Sequence, residues 1–309
     1  MKPMDNGTLG IGQGVTQQHG TVRSGSRATP RVWRTVRPAL KQIVLLALVI
    51  PVAVLFLMPW AWMLSTAGKN AATLWAVPPV WLPRPYLWEN FVTAWNMGGF
   101  AIYFRNTAYM TAMNVIGNVL SSVIAAYAFA RLRFKGRDIL YIIVLATMML
   151  PSQVTLIPLY VIFSKIGWTN SFKALVIPGF FGDAFSIFLL RQFFMTIPRE
   201  YDDAAYIDGC SHFGVLFRIL IPQIRPAVAV VAIFVFTWSW NNYMGPLIYL
   251  SSPDLFPVTL GLQRFVGRAN TQIQYLMAMT AVSALIPVVI FFAAQRYFIQ
   301  GIVISGIKG

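Results

Sequence analysis

Apolar residues fall in six long runs, separated by shorter stretches where charge, glycine and proline collect. The runs cover about 41–66, 104–130, 139–163, 173–194, 226–250 and 275–299. A helix needs about 20 apolar residues to cross a hydrocarbon core of about 30 Å. The pattern therefore predicts an all-α integral membrane protein with six transmembrane helices. Residues 1–38 are rich in Gly, Ser, Thr and Arg and show no apolar period, which predicts a disordered tail ahead of a membrane domain over 39–309. The first apolar run comes too late and is too long for the core of a signal peptide. Between the first two runs, Pro78, Pro79, Pro83 and Pro85 exclude a continuous helix, and Trp75, Trp81 and Trp88 suit an interfacial belt.

Composition agrees with a bilayer environment. Hydrophobic residues make up 57% of the 309 and charged residues 11%, well under the roughly 25% of a soluble domain. The single cysteine, Cys210, excludes an internal disulfide framework, and the two histidines, His19 and His212, are too far apart for a local metal motif. A net charge of +15 would suggest nucleic acid in a soluble chain. Here its placement argues for membrane topology instead, and no base-stacking or groove-reading motif accompanies it. Seventeen of the 24 Lys and Arg residues lie in the tail, in the loop after the second run, around the loop after the fourth, and at the C-terminus. The other connections hold seven. Basic residues are retained on the cytoplasmic side, so both termini and the loop at about 195–225 are expected there.

That loop concentrates the acidic residues. Glu200, Asp202, Asp203 and Asp208 surround Ala204 and Ala205; Gly209 follows, and Ile219 and Pro222 close the segment. The spacing resembles the E-A-A-x3-G-x9-I-x-L-P signature of the inner-membrane permeases of binding-protein-dependent ABC importers. Further stretches resemble the carbohydrate, maltose-permease-like branch: AAYAFARLRFKGR at 125–137, LPSQVTLIPLY at 150–160, IFLLRQFF at 187–194 and RYFIQG at 296–301. Asp203 stands where the family usually has Glu, and Ile221 where it has Leu.

The resemblance implies the type I ABC-importer permease fold and a bacterial or archaeal inner-membrane location. It also implies a coupling helix, carried by the acidic loop, that docks on an ATPase subunit. Small residues at 204, 205 and 209 would let that helix sit close to another protein, and carboxylates near its start would favour its dipole and meet basic groups on a partner. The implied partners are a second homologous permease, two ATP-binding subunits and an extracytoplasmic solute-binding protein, with a sugar or glycerol 3-phosphate as cargo. The chain has no GxxxxGK[ST] loop; Gly68-Lys69-Asn70 lacks the upstream glycine and the hydroxyl. ATP and magnesium would then belong to the partner ATPase, and this chain is expected to be non-catalytic and to hold no cofactor or metal.

For a substrate path, the second run carries Thr107, Thr111, Asn114, Asn118 and Ser121, spaced to share one helix face. Such a stripe either lines a polar path or packs helices together. Asp183, an ionisable residue within the fourth run, is a candidate for a sugar hydroxyl, or for an ion pair or a bend. Asn241 and Asn242, beside Trp238 and Trp240, combine amides with rings that can stack on a sugar, and they equally suit an interfacial belt. A secondary carrier or channel is the alternative function; it would need inverted repeats and midplane ion sites, which the sequence does not display.

Overall fold

The structure, a computed structural model, describes residues 31–267 and 272–306; residues 1–30 of the expected tail and the last three residues lie outside them. The chain divides into two units at Phe56. The first is the leading part of α1 (Arg31–Ala67), whose residues from Lys41 onward are exposed and almost wholly apolar. The helix starts within the segment expected to be tail. Arg31–Arg37 has none of the glycines that punctuate residues 1–30, and the helix continues through Pro38.

From Leu57 onward the described residues are helical, with no strand among them. They comprise α2 (Glu89–Gly98), α3 (Phe100–Arg131), α4 (Arg137–Thr147), α5 (Ser152–Lys165) and α6 (Lys173–Val176). Then follow α7 (Ala184–Thr196), α8 (Glu200–Ile207), α9 (His212–Gln223), α10 (Arg225–Trp240), α11 (Met244–Tyr249), α12 (Val258–Gly261) and α13 (Ile273–Gly306). Among the described residues four segments are long and apolar enough to cross a bilayer, and up to six if each of two bent pairs counts as one crossing. At 1.5 Å per residue α3 extends about 48 Å, more than a bilayer core requires. It is the central helix, packed by α7 and α10.

Three expected crossings are interrupted. The third breaks between α4 and α5, which meet at 99° where Pro151 cannot donate an amide. The fourth starts as α6, tightens into a 3-10 turn over Ile177–Phe181, and restarts as α7 after Gly182, whose φ of +74° a side chain would oppose. The fifth was expected to continue to about 250 but stops at Trp240; α11 resumes after Asn241–Tyr243.

Two larger buried clusters organise the bundle, beside a small third one of Phe163, Ala174 and Tyr249. One joins Val123, Ala126 and Tyr127 of α3 to Leu190 and Phe194 of α7, Ala205 of α8 and Leu216 of α9. The other gathers Phe100, Tyr103, Val258, Phe265 and Met279 around the start of α3. Loops group accordingly. Asn106 donates to the carbonyls of Asp254 and Phe256, and Thr107 Oγ1 accepts from the Val258 amide, at the α3 start. Asn170 Oδ1 accepts from the Ser251 and Ser252 amides. The basic loop after α3 and the acidic loop meet at the other end of α3.

Candidate functional site

Helix α8 is one short helix that opens with Glu200, Asp202 and Asp203 in its first turn, where carboxylates oppose the positive end of the dipole. It ends in a Schellman motif. The Cys210 amide donates to the Ala205 carbonyl (2.9 Å) and the Gly209 amide to that of Tyr206 (3.0 Å), with Gly209 left-handed at φ +81°. A Cβ on Gly209 would meet nothing within 4 Å, so glycine is required there by the backbone and not by space. Asp208 is the C-terminal cap residue, at the opposite end from the other three carboxylates. Ser211 then caps α9 by accepting from the Gly214 amide at 3.2 Å.

Asp202 faces inward. It is 6% exposed, and its Oδ2 lies 3.2 Å from Arg131 Nη1, at the last residue of α3. Arg131 Nη2 also donates to the Ile197 carbonyl at 2.7 Å. Of the carboxylates expected to be able to meet basic groups on a partner, Asp202 instead meets Arg131 of its own chain. Burial pushes the Asp202 carboxyl above the usual aspartate value, with Arg131 opposing the shift. Ala205 likewise packs into the chain's own core, whereas Glu200, Asp203, Ala204, Asp208 and Gly209 are exposed. A helix has two faces, and the close Ala-Ala pair divides between them.

Glu200, Tyr201, Ala204, Ala205, Asp208 and Ile219 line a shallow groove of about 380 Å³ between α8 and α9. Ile219 thus joins residues ten or more positions earlier. Pro222 lies near the end of α9, just before the 85° bend into α10, and the turns before it widen to π geometry over Val215–Leu220. Such widening accommodates a ring that would clash with the carbonyl four residues back. Tyr206 completes the anchorage: its hydroxyl shares a hydrogen bond with Tyr127 of α3 (3.2 Å) and another with His212 Nδ1 (2.7 Å).

Over residues 117–304 the sequence matches the family described as the binding-protein-dependent transport system inner membrane component. The chain belongs to this family. The permease is 35% identical over 256 residues to a probable ABC transporter permease protein, YurM, of Bacillus subtilis, covering 81% of this chain and 83% of that one. It is 32% identical to the arabinooligosaccharides transport system permease protein AraQ of Halalkalibacterium halodurans, over 78% and 85% of the two chains. Its fold matches a chain from the crystal structure of a bacterial ABC transporter involved in import of the acidic polysaccharide alginate, with a TM-score of 0.74 and 23% identity, covering 84% of this chain and 97% of that one. The protein is accordingly a multi-pass inner-membrane permease subunit of an ABC transporter.

The other polar residues of the permease do not assemble into one site. Thr107, Thr111, Asn114 and Asn118 are buried, so the α3 stripe faces protein, with Ser121 half-buried at its end. Asn114 Nδ2 donates to the Met110 and Leu175 carbonyls and to Ser239 Oγ, and Gly179 packs so closely on its Oδ1 that a Cβ would sit 2.5 Å away. Ser121 Oγ donates to the Gly117 carbonyl at 2.7 Å. Asp183 is the N-cap of α7: Oδ1 accepts from the Ser186 amide (3.0 Å), while Oδ2 accepts from Ser186 Oγ and from Asn118 Nδ2 (2.8 Å). Of the expectations for Asp183, a sugar hydroxyl, an ion pair or a bend, the geometry displays the bend. Asn241 and Asn242 are remote from this cluster in their bonding. Asn241 Nδ2 donates to the Thr237 carbonyl, and Asn242 Oδ1 accepts from the Gly245 amide at the start of α11.

Arg131, Tyr127, Tyr206 and His212 are the residues that sequence reasoning did not assign to the loop's architecture. The available signal was Arg131 alone, a charge at the end of an apolar run, and nothing in the sequence names its partner.

Proposed function

We propose that the permease serves an ATP-driven carbohydrate importer and that α8 is its coupling helix, docking on a separate ATP-binding subunit. The observation that carries this reading is the way α8 is held: Asp202 and Ala205 bind it to the bundle, while Glu200, Asp203, Ala204 and Gly209 remain outward. An element anchored on one face and open on the other can transmit a push from a partner into α3 and α9. Two ATP-binding subunits, a second homologous permease and an extracytoplasmic solute-binding protein complete the assembly, with ATP and magnesium in the ATPase. Both termini and α8 lie on the cytoplasmic side, in keeping with the basic residues gathered at that end of the bundle.

The name of the relative AraQ, an arabinooligosaccharide permease, supports a sugar as cargo. Of the six path residues, Asn114, Asn118, Ser121 and Asp183 are bonded to one another or to backbone. Asn241 keeps its Oδ1 unbonded among the described residues and is exposed, three positions after Trp238, itself 66% exposed. A ring and an amide on adjoining turns suit the C–H face and hydroxyls of a sugar, so Trp238, Asn241 and Asn242 are the favoured contacts.

Gly209→Asp tests the coupling assignment. It places a side chain on a left-handed residue of the outward face, at a backbone cost of about 1–2 kcal/mol, and puts a charge where the partner must approach. Reduced copurification of the ATP-binding subunits, or ATP hydrolysis without uptake, is expected. Normal uptake with normal copurification would remove the basis for calling α8 a coupling helix.

A further inference from the structure

A second cavity, of about 530 Å³, opens beside the acidic loop and is lined by Arg133, Phe134, Gly136, Arg137, Asp138, Ile139 and Arg199. Its chemistry differs from that of the α8 groove. Three guanidinium groups surround it with one carboxylate, and that carboxylate is taken: Arg137 Nε donates to Asp138 Oδ1 at 2.9 Å. The guanidinium groups of Arg133 and Arg199 have no hydrogen-bond or ion-pair partner among the described residues. Two exposed cations therefore line the same space, Arg199 also feeling the buried Asp202 carboxylate, and an anion between them would relieve their mutual repulsion. In the first turn of α4 the Arg137 amide donates to the Phe134 carbonyl and the Leu140 amide to that of Gly136, which leaves the Asp138 and Ile139 amides at this edge.

The walls are fixed and apolar on one side. Phe134 packs against Phe129 with ring centres 6.3 Å apart, and Phe129 against Tyr141 at 5.4 Å, so the loop is braced on α3 and α4. Ile139, 67% exposed, lies at the cavity rim and begins a file with Ile142 and Ile143, also exposed, along one face of α4. A row of bare isoleucines leading away from a cationic cup matches the two ends of a phospholipid, an anionic phosphate joined to acyl chain.

We infer that this cavity binds the phosphate headgroup of an anionic membrane lipid, its acyl chain lying along Ile139, Ile142 and Ile143. Arginine pairs bidentately with phosphate oxygens, so Arg133 and Arg199 clasp the phosphate from two loops. Basic pockets between membrane helices on the cytoplasmic side take such headgroups. Because Arg199 immediately precedes α8, a lipid held here also sets the position of the acidic loop. The choice of leaflet rests on the cytoplasmic placement proposed above; the binding itself does not.

The test is native mass spectrometry of the full-length chain, purified with its co-assembling subunits in detergent. Phosphatidylglycerol and chain-matched phosphatidylethanolamine are titrated separately, with and without millimolar inorganic phosphate. Phosphatidylglycerol is expected to bind at least about tenfold more tightly than phosphatidylethanolamine. Arg133→Gln combined with Arg199→Gln should lower its affinity by about tenfold to a hundredfold, as loss of charge-assisted hydrogen bonds does. Arg84→Gln, a basic residue of another loop, should leave it unchanged. The Arg133→Lys and Arg199→Lys pair keeps the charge but not the fork, and should fall between; it carries the test if the glutamine pair does not fold. Equal binding of the two lipids, or phosphatidylglycerol affinity unaltered in both paired variants, overturns the inference. Full displacement by inorganic phosphate would assign the cavity to a soluble anion. Loss of the ATP-binding subunits with lipid binding intact would assign it to acidic side chains of that partner. Detergent binding is blind to sidedness, so a wrong topology would show only in surface labelling.

Discussion

Removing the Asp202 carboxylate should free α8 from the bundle. In Asp202→Ala the Arg131 side chain, 5% exposed, keeps only the Ile197 carbonyl as a partner among the described residues. Breaking a buried ion pair from one side costs about 3–5 kcal/mol, because the remaining charge is left uncompensated. Arg131 Nε and Asp202 Oδ1 make no hydrogen bond, so the pair falls short of full fork geometry and the low end, about 3 kcal/mol, is expected. An eight-residue helix has no stability of its own, so the loss should appear as local opening. Amide hydrogen exchange over 200–210 in detergent reads that opening directly, and 3 kcal/mol corresponds to exchange faster by about a hundredfold. Arg131→Met should act similarly. The pair Arg131→Met with Asp202→Ala should be destabilised by less than the sum of the two single variants, since the second truncation removes the charge that the first left uncompensated, giving a coupling energy of at least about 2 kcal/mol. Asp203→Ala, on the exposed face, should shift exchange by less than about 0.5 kcal/mol. Equal effects of Asp202→Ala and Asp203→Ala, or additive single variants, would refute the claim that this ion pair holds the helix.

The same carboxyl supplies a pH dependence. Its folded pKa is raised above 3.8, chiefly by burial, so desolvation of the carboxylate outweighs the Arg131 attraction and the folded state binds the proton more tightly than the unfolded one; the protonated carboxyl still offers Arg131 an acceptor oxygen, which the methyl of Asp202→Ala cannot. Its contribution to stability is then greatest below 3.8 and declines as pH rises through the raised value; Asp202→Asn should flatten that part of the profile of exchange against pH. At Asp183, Asp183→Ala loses the cap of α7 and the Asn118 bond and should lower stability by about 2–3 kcal/mol, while Asp183→Asn, which still caps, should cost under about 1 kcal/mol. Equal losses in thermal unfolding would show that charge, and not capping, is what position 183 supplies. In a Cys210→Ser background, Gly136→Cys and Gly309→Cys should resist an impermeant thiol reagent in intact cells and Ser252→Cys should react; labelling of Gly136→Cys from outside would invert the topology.

Much of this molecule is legible as sequence because a bilayer imposes a local rule. Every backbone amide in hydrocarbon must bond within its own helix, so length and apolar content alone mark the crossings. Basic residues mark the loops by side, and four carboxylates around Ala204–Ala205 mark the helix between α7 and α9. Even the bend at Pro151 is local, since a missing amide acts where it stands. The rest depends on neighbours distant in the chain. Asp202 and Asp203 are chemically alike and adjacent, yet one is buried on Arg131 and the other is exposed, because a helix turns successive residues by 100° and only packing decides which direction is inward. The α3 stripe shows a shared face but not what covers it; α7, α10 and the 3-10 turn before Gly182 do, and they consume its amides. Asp183 reads as a buried charge and becomes a helix cap because the turn before it is too tight to continue. Sequence by itself determined which residues must avoid lipid and which must avoid water; tertiary structure decided their partners, since hydrogen bonds and ion pairs are satisfied by proximity in space.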